Sequence, residues 1–82
     1  MKKLYLLSQT SNLDYDTYDS AIVCAESEEE AKFIHPNGSK EWDGMASRYT
    51  SWCSAGDVKV KEIGIANENQ EIGLILGSFN AG

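Results

Sequence analysis

The sequence predicts a small α+β domain, with a four-stranded, mostly antiparallel sheet and one short helix on one face. Four short segments are rich in aliphatic and β-branched residues, which favour strands. One clear helix start follows the second of these segments. At 82 residues the chain has the length of one domain. We therefore take residues 1–82 as a single α+β domain with the order β-β-α-loop-β-β.

The first two strands are predicted on either side of an acidic turn. Residues 3–9 are rich in aliphatics, and residues 20–25 are apolar on both faces, which is typical of an interior strand. Residues 14–19 carry three aspartates but lack the glycine and the distal glutamate of a calcium-binding EF-hand loop. We interpret them as a turn whose side chains bond their own backbone.

The helix is predicted at residues 28–35. Ser27 and Glu30 have the spacing of a capping box, in which each side chain bonds the other residue's free backbone N–H. Pro36 cannot continue a helix, so it ends this one near His35, which acts as its C-cap.

The predicted core lies between this helix and the sheet. Ala31 and Ile34 form the apolar stripe of the helix. The strand residues expected to be buried are Leu4, Leu6, Val23, Val60, Leu74 and Leu76. Phe33 falls on the opposite side of the helix from Ala31, and two interpretations stay open for it: a loose surface residue, or a contact with another chain.

The segment 37–57 has no periodic pattern and is long for an ordered loop. It is rich in aromatic residues, so we expect it to fold back over the sheet, with a short strand near residues 49–53. Its aromatic cluster contains the only arginine of the chain, and its members are Trp42, Arg48, Tyr49 and Trp52. Indole rings stack on purines and arginine pairs with phosphate, whereas the alternative is that these aromatics only cover a thin core.

Two further strands are predicted near the C-terminus, as a hairpin. In residues 58–65 the apolar positions change parity, which predicts a β-bulge near residues 61–62. Residues 71–82 are the most apolar run, with aliphatics on both faces. Because such a strand must be covered on both sides, we expect a central strand, with residues 78–80 in a packed site or a subunit interface.

Composition restricts the classes of partner. Thirteen acidic against seven basic residues give a formal charge of −6, which disfavours extended nucleic acids and anionic membranes. Two cysteines and one histidine without paired spacing predict neither a metal site nor a cofactor. Nothing places His35 beside Cys53 as a base and a nucleophile, so we expect a protein that is not an enzyme. Without a signal peptide pattern or a membrane-spanning segment, a cytosolic location is expected.

The residues expected to bind a ligand are aromatic, or carry a hydroxyl, amide or guanidinium group. They are Tyr15, Tyr18, Arg48, Tyr49, Trp52, Ser78, Phe79 and Asn80. The alternative for the last three residues is simple strand termination. Oligomerisation is expected, because a chain of this size buries only a thin core of its own.

Most of the chain resembles a family of small proteins encoded by bacteriophages and prophages. The resemblance is carried by residues 4–9, 15–20 (YDTYDS), 25–31, 34–36, 52–53, 73–76 and 78–82 (SFNAG). It implies a setting, the host cytoplasm, and brings no defined activity. Small acidic phage proteins act there as inhibitors or binders, and some sequester nucleotide signals of host immunity.

Two functional hypotheses follow from these residues and this resemblance. The first is a non-enzymatic protein that counteracts host defence by binding a small nucleotide-like ligand at a subunit boundary. The second is a protein-binding inhibitor or structural accessory protein, which meets a host protein through Phe33 and the acidic helix face.

Overall fold

The computed structural model describes residues 1–11, 17–38, 42–44 and 51–80, with the side chain of Asn80 excepted. The elements in chain order are strand β1 (Lys3–Ser8), strand β2 (Thr17–Ala25), helix α1 (Glu28–Lys32), a 3-10 turn (Ala55–Asp57), strand β3 (Lys59–Ile65) and strand β4 (Gly73–Asn80). The strand predicted near residues 49–53 lies partly outside the described ranges, and residues 51–53 are not in a strand. No helix within those ranges is long and apolar enough to cross a membrane.

The four strands form one antiparallel sheet in the order β3-β1-β2-β4. The predicted four-stranded antiparallel sheet with one short helix is therefore confirmed, as is the interior position of β2. Two other predictions are wrong. The C-terminal strand β4 is an edge strand and not a central one, and β3 and β4 lie on opposite edges of the sheet instead of forming a hairpin.

The connection between β3 and β4 explains why they do not pair. The backbone N–H of Ala66 donates to the carbonyl of Lys2 at 3.0 Å. The Lys2 ammonium donates to the carbonyls of Glu68 and Gln70, at 3.1 and 2.8 Å. The first residues of the chain thus hold the connection as it passes across the end of the sheet, from one edge to the other.

The strand register separates a helix-covered face from an open face. On the covered face Tyr5 pairs with Val23, and both are buried in the core. On the open face Leu6, Ile22 and Leu76 form one row across three strands. Leu76 is exposed, so its predicted burial is wrong, whereas Leu4 and Leu6 are half-buried. Strand β1 has apolar residues on both of its faces, so the sequence pattern alone does not indicate which face is buried.

A β-bulge interrupts strand β3, as the change of parity predicts. Tyr5 pairs with Glu62 and Leu4 with Gly64, which leaves Ile63 as the extra residue. The predicted bulge is therefore confirmed, next to the expected position. Its effect is to re-aim the end of β3, so that Ile63 and Ile65 are exposed while Val60 packs on the core.

Helix α1 is shorter than predicted. The Ser27 hydroxyl accepts a hydrogen bond from the Glu30 N–H at 3.1 Å, as expected for the N-cap. The Glu30 carboxylate, however, bonds the N–H of Glu26 at 2.8 Å and not that of Ser27. The helix ends at Lys32 with Phe33 as its C-cap, and not at His35. The N–H of Phe33 bonds the Glu30 carbonyl and that of Ile34 the Ala31 carbonyl, each three residues back.

The core lies between α1, the covered face of the sheet and the segment that precedes β3. Its buried members are Tyr5, Leu7, Val23, Ala25, Ala31, Trp52, Cys53 and Val58. Ile34, Val60 and Leu74 pack against this cluster while remaining partly exposed. The predicted stripe of Ala31 and Ile34 is therefore in place, and the aromatic loop supplies the largest buried side chain, Trp52.

Candidate functional site

Four aromatic side chains from distant parts of the chain form a continuous row, which we call the aromatic row. Phe79 contacts Tyr18 with ring centroids 4.9 Å apart. Tyr18 meets His35 edge-on at 6.4 Å, and His35 meets Trp42 edge-on at 5.1 Å. Edge-to-face and tilted pairs at such distances are favourable contacts beyond the area that they bury. The row therefore has a defined geometry at the β2–β4 end of the sheet.

The strand register and the backbone place Tyr18 in this row. Tyr18 pairs with Phe79 across the two strands, and Asp19 is the extra residue of a bulge beside them. The Tyr18 N–H donates to the Ser51 carbonyl at 2.8 Å, and the Tyr18 carbonyl accepts from the Gln9 side-chain amide at 2.9 Å. The backbone that carries this ring is thus held from two sides.

Gly77 gives the Tyr18 ring its space. A Cβ atom at position 77 would lie 3.0 Å from Cε1 of Tyr18 and 3.2 Å from the carbonyl oxygen of Pro36. The absence of a side chain at this position therefore allows both the ring and the segment after α1 to approach β4 closely.

His35 is a buried member of the row and not the predicted helix C-cap. Its Nδ1 atom accepts a hydrogen bond from the Asn37 N–H at 3.1 Å. Burial lowers the pKa of the His35 imidazole below its ordinary value of 6.5, so the ring is neutral at pH 7. A neutral ring that accepts at Nδ1 carries its proton on Nε2.

Cys53 lies in the core with its thiol protonated at neutral pH. Burial, with a smaller contribution from the Asp57 carboxylate, raises the pKa of Cys53 to about 11. A thiol becomes a nucleophile as a thiolate, and this environment suppresses that form. Cys24 is also buried and reduced. Neither side chain is set up as an activated nucleophile.

The structure brings together only some of the predicted ligand residues. Tyr18 and Phe79 are adjacent, and Phe79 is half-exposed. Trp52 is 0% exposed and belongs to the core, which agrees with the alternative of core cover, and its role as a ligand residue stays a prediction. Ser78 is exposed but pairs with Ser20 on the open face, away from Phe79.

The remaining predicted ligand residues cannot be placed against the row. Asn80 pairs with Thr17 through its backbone, and its side chain lies outside the described atoms, as do Tyr15, Arg48 and Tyr49. His35 was not predicted as a member of the row, and Trp42 was predicted only as part of the loop cluster. Their proximity to Tyr18 arises from tertiary packing, for which the sequence carries no local signal.

A groove of about 660 Å³ lies between α1 and the start of β4, away from the aromatic row. Phe33, Ile34, Ile72 and Leu74 line it with apolar surface, and Glu30 and Glu71 also line it. No lysine, arginine or histidine is among the residues described at this groove, so its charge disfavours a phosphate-containing ligand. The sequence predicts Phe33 and the acidic helix face, which includes Glu30, as a contact surface, but it does not predict their position beside the start of β4.

The Phe33 ring packs closely against the backbone of Gly44 beside the groove. Gly44 has a left-handed backbone with φ 84°, and a Cβ atom there would overlap the Phe33 ring. The Gly44 carbonyl accepts from the N–H of Ala55 at 2.8 Å. One side of the ring therefore packs on ordered backbone while the side chain stays half-exposed.

Comparisons with protein families, curated proteins and solved structures find no significant match to this chain. The resemblance to phage-encoded proteins therefore stays a prediction. Within the ranges that the structure covers, no three His, Cys, Asp or Glu side chains are grouped as metal ligands would be.

Proposed function

We propose that this protein is a non-enzymatic binder that sequesters a small nucleotide-like ligand at the aromatic row. The observation that supports it best is the Tyr18–Phe79 pair, which presents a half-exposed phenyl ring on a fixed strand pair. Aromatic side chains stack on nucleobases with about 1–3 kcal/mol per base, whatever the base. Following the phage resemblance, we place this activity in the host cytoplasm, where removal of such a signal counteracts host defence.

Preorganisation of the row supports the proposal. Tyr18 is held by backbone hydrogen bonds to Ser51 and from Gln9, and Gly77 lets its ring lie against β4. A ring that is already fixed loses little conformational freedom on binding, so more of the stacking energy appears as affinity. The neutral His35 adds no charge that would attract or repel the ligand.

The loop of residues 37–57 supplies the polar half of the proposed site. In our proposal the whole chain is one β-β-α-loop-β-β domain, and described residues of this loop contact the row. Trp42, near its start, is a member of the row, and Ser51, near its end, bonds Tyr18. Arg48 and Tyr49 lie between those two anchors in the sequence. We assign the ligand phosphate to Arg48, because a guanidinium pairs with phosphate in a bidentate fashion.

Two matched phenylalanine variants test this function. Phe79 and Phe33 are 48% and 49% exposed, but only Phe79 belongs to the row. Calorimetric titration with cyclic dinucleotides and ADP-ribose derivatives should show binding by the native protein and by Phe33→Ala, and weakened binding by Phe79→Ala. Failure of every ligand in the panel to bind, or equal loss in both variants, contradicts the proposal.

A second candidate, a protein-binding inhibitor or accessory protein, is favoured by the groove beside Phe33. A fixed, half-exposed aromatic next to an apolar depression is typical of a protein-binding hot spot. Glu30 and Glu71 would select a partner that offers basic and apolar side chains. The same two variants distinguish the candidates, since capture of a host protein should be lost with Phe33→Ala and retained with Phe79→Ala.

A further inference from the structure

Strand β4 forms an edge of the sheet that lacks the charges and prolines that usually protect an edge. Among the described strands it pairs with β2 alone. Its eight residues, GLILGSFN, contain neither a charge nor a proline. Soluble proteins normally protect an exposed edge with charged residues, proline or a bulge, because its free N–H and C=O groups are a template for another strand.

The opposite edge of the same sheet shows such protection. Strand β3 carries the charged residues Lys59, Lys61 and Glu62. A register shift leaves one extra residue on each edge strand, Ile63 on β3 and Ile75 on β4, so the two edges differ in their charges and not in their bulges. The two edges therefore differ in chemistry, although they belong to one sheet of a strongly acidic protein. The contrast indicates that β4, and not β3, is kept free for pairing.

The side chains of β4 extend this feature into an apolar surface. Ile75, Leu76 and Phe79 are exposed large hydrophobic residues on the strand. Leu76 also continues the row with Ile22 and Leu6 on the open face. Phe79 lies on the other face, beside Tyr18, so the contiguous apolar surface is the open-face row, and such a surface marks an interaction site.

We propose that two copies of this chain pair antiparallel along β4 and continue the two sheets into one of eight strands. A two-fold axis makes such an edge its own complement, since the same residues face each other on both sides. Each molecule carries a formal charge of −6, which makes two copies repel each other. Strand β4 itself is uncharged, so two copies can meet there without bringing like charges into contact. The strand offers no charged side chain that could form an ion pair with a charged partner.

The arrangement goes beyond ligand binding, but it also bears on the aromatic row. Phe79 is a β4 residue, so pairing along β4 places the row of each copy beside the subunit boundary. The main-chain hydrogen bonds of an antiparallel ladder supply affinity, and the apolar side chains on both strands add burial.

Native mass spectrometry and light scattering of matched variants test the proposal. Leu76 on β4 and Ile65 on β3 are 63% and 67% exposed, and both are replaced by lysine. We expect the native protein and Ile65→Lys to be dimeric, and Leu76→Lys to be monomeric at the same concentration with an unchanged circular dichroism spectrum. A monomeric native protein, or two variants that dissociate equally, overturns the proposal.

Hydrogen exchange on the native protein gives an independent result that needs no variant. Pairing protects the amides of residues 73–80 that point away from β2, and dilution should restore their exchange. A dimer in which those amides exchange as fast as in the diluted protein would use another surface, such as the open face, and that result also overturns the proposal.

Discussion

Tyr18 and Phe79 face each other across the β2–β4 pair, with ring centroids 4.9 Å apart and ring planes inclined by 57°. Sixty-one positions separate the two residues in the sequence, and the strand register alone brings them together. The geometry of this pair depends on the small residue next to it, on the integrity of the sheet and on the segment that follows α1.

Replacement of Gly77 by alanine should destabilise the protein. The added Cβ atom would lie 3.0 Å from Cε1 of Tyr18 and 3.2 Å from the Pro36 carbonyl oxygen, so backbone or ring must shift. Overpacking of this kind costs about 1–3 kcal/mol of unfolding free energy, measured by urea denaturation. Gly64→Ala is the control, because the nearest atom to its Cβ is 4.0 Å away. Equal effects of the two substitutions would contradict the assigned role of Gly77.

Replacement of Ser27 by alanine should weaken the start of α1. The Ser27 hydroxyl accepts the N–H of Glu30, and without it that donor loses its partner. Loss of an N-cap costs about 1 kcal/mol, measured as a change in unfolding free energy. Ser27→Asp retains a capping oxygen and should behave like the native protein. If aspartate destabilises as much as alanine does, the cap is not the cause.

The stability of the protein should fall as the pH drops below about 6.5. Burial lowers the pKa of His35 in the folded state, so the unfolded chain binds the proton more readily. The free energy of unfolding therefore rises with pH between the folded and unfolded pKa values, and this contribution is lost as the pH falls through the unfolded value.

The pKa of His35 can be measured without overlap from other imidazoles, because the chain has one histidine. An NMR titration of the imidazole should give a midpoint below 6.5. Urea denaturation between about pH 5.5 and 7, above the range of ordinary carboxylates, should show a pH dependence that is absent in His35→Gln. A midpoint at or above 6.5, or an unchanged dependence in the variant, contradicts this prediction.

Neither cysteine should react with a thiol reagent in the folded protein at pH 7 to 8. Cys24 and Cys53 are both buried, and the pKa of Cys53 is raised to about 11. Ellman's reagent should therefore report no fast-reacting thiol under native conditions and two after denaturation in urea. Rapid native labelling of Cys53 would show that the segment preceding the 3-10 turn opens readily.

Local patterns in the sequence predict the elements of this fold well. The aliphatic segments, the N-cap at Ser27 and the bulge in β3 all leave signals within a few neighbouring residues. The strand order leaves no such signal, because it depends on contacts between Lys2 and the segment 66–70. An aliphatic run also cannot indicate whether its second face meets the same chain, another copy or water, and β4 was placed at the centre of the sheet for that reason.

In the candidate site, too, residue types can be predicted from the sequence, whereas tertiary contacts cannot. Tyr18 and Phe79 were predicted from residue type, whereas the role of His35 was assigned from its position before Pro36. Its packing between Tyr18 and Trp42 arises from tertiary contacts that no local rule describes. For Trp52, residue type suggests a ligand contact, whereas the structure buries the side chain in the core, where a small domain needs large apolar side chains.

The strand order β3-β1-β2-β4 also determines when the sheet can assemble during synthesis. Of the described strand pairs, β1–β2 alone is complete before residue 59 leaves the ribosome, and a two-stranded sheet is only marginally stable in water. Both outer strands join from the C-terminal third, through pairings that link residue 3 with 65 and residue 17 with 80. The sheet therefore reaches its native order only after residue 80 has left the ribosome, in a late step with slow, non-local kinetics.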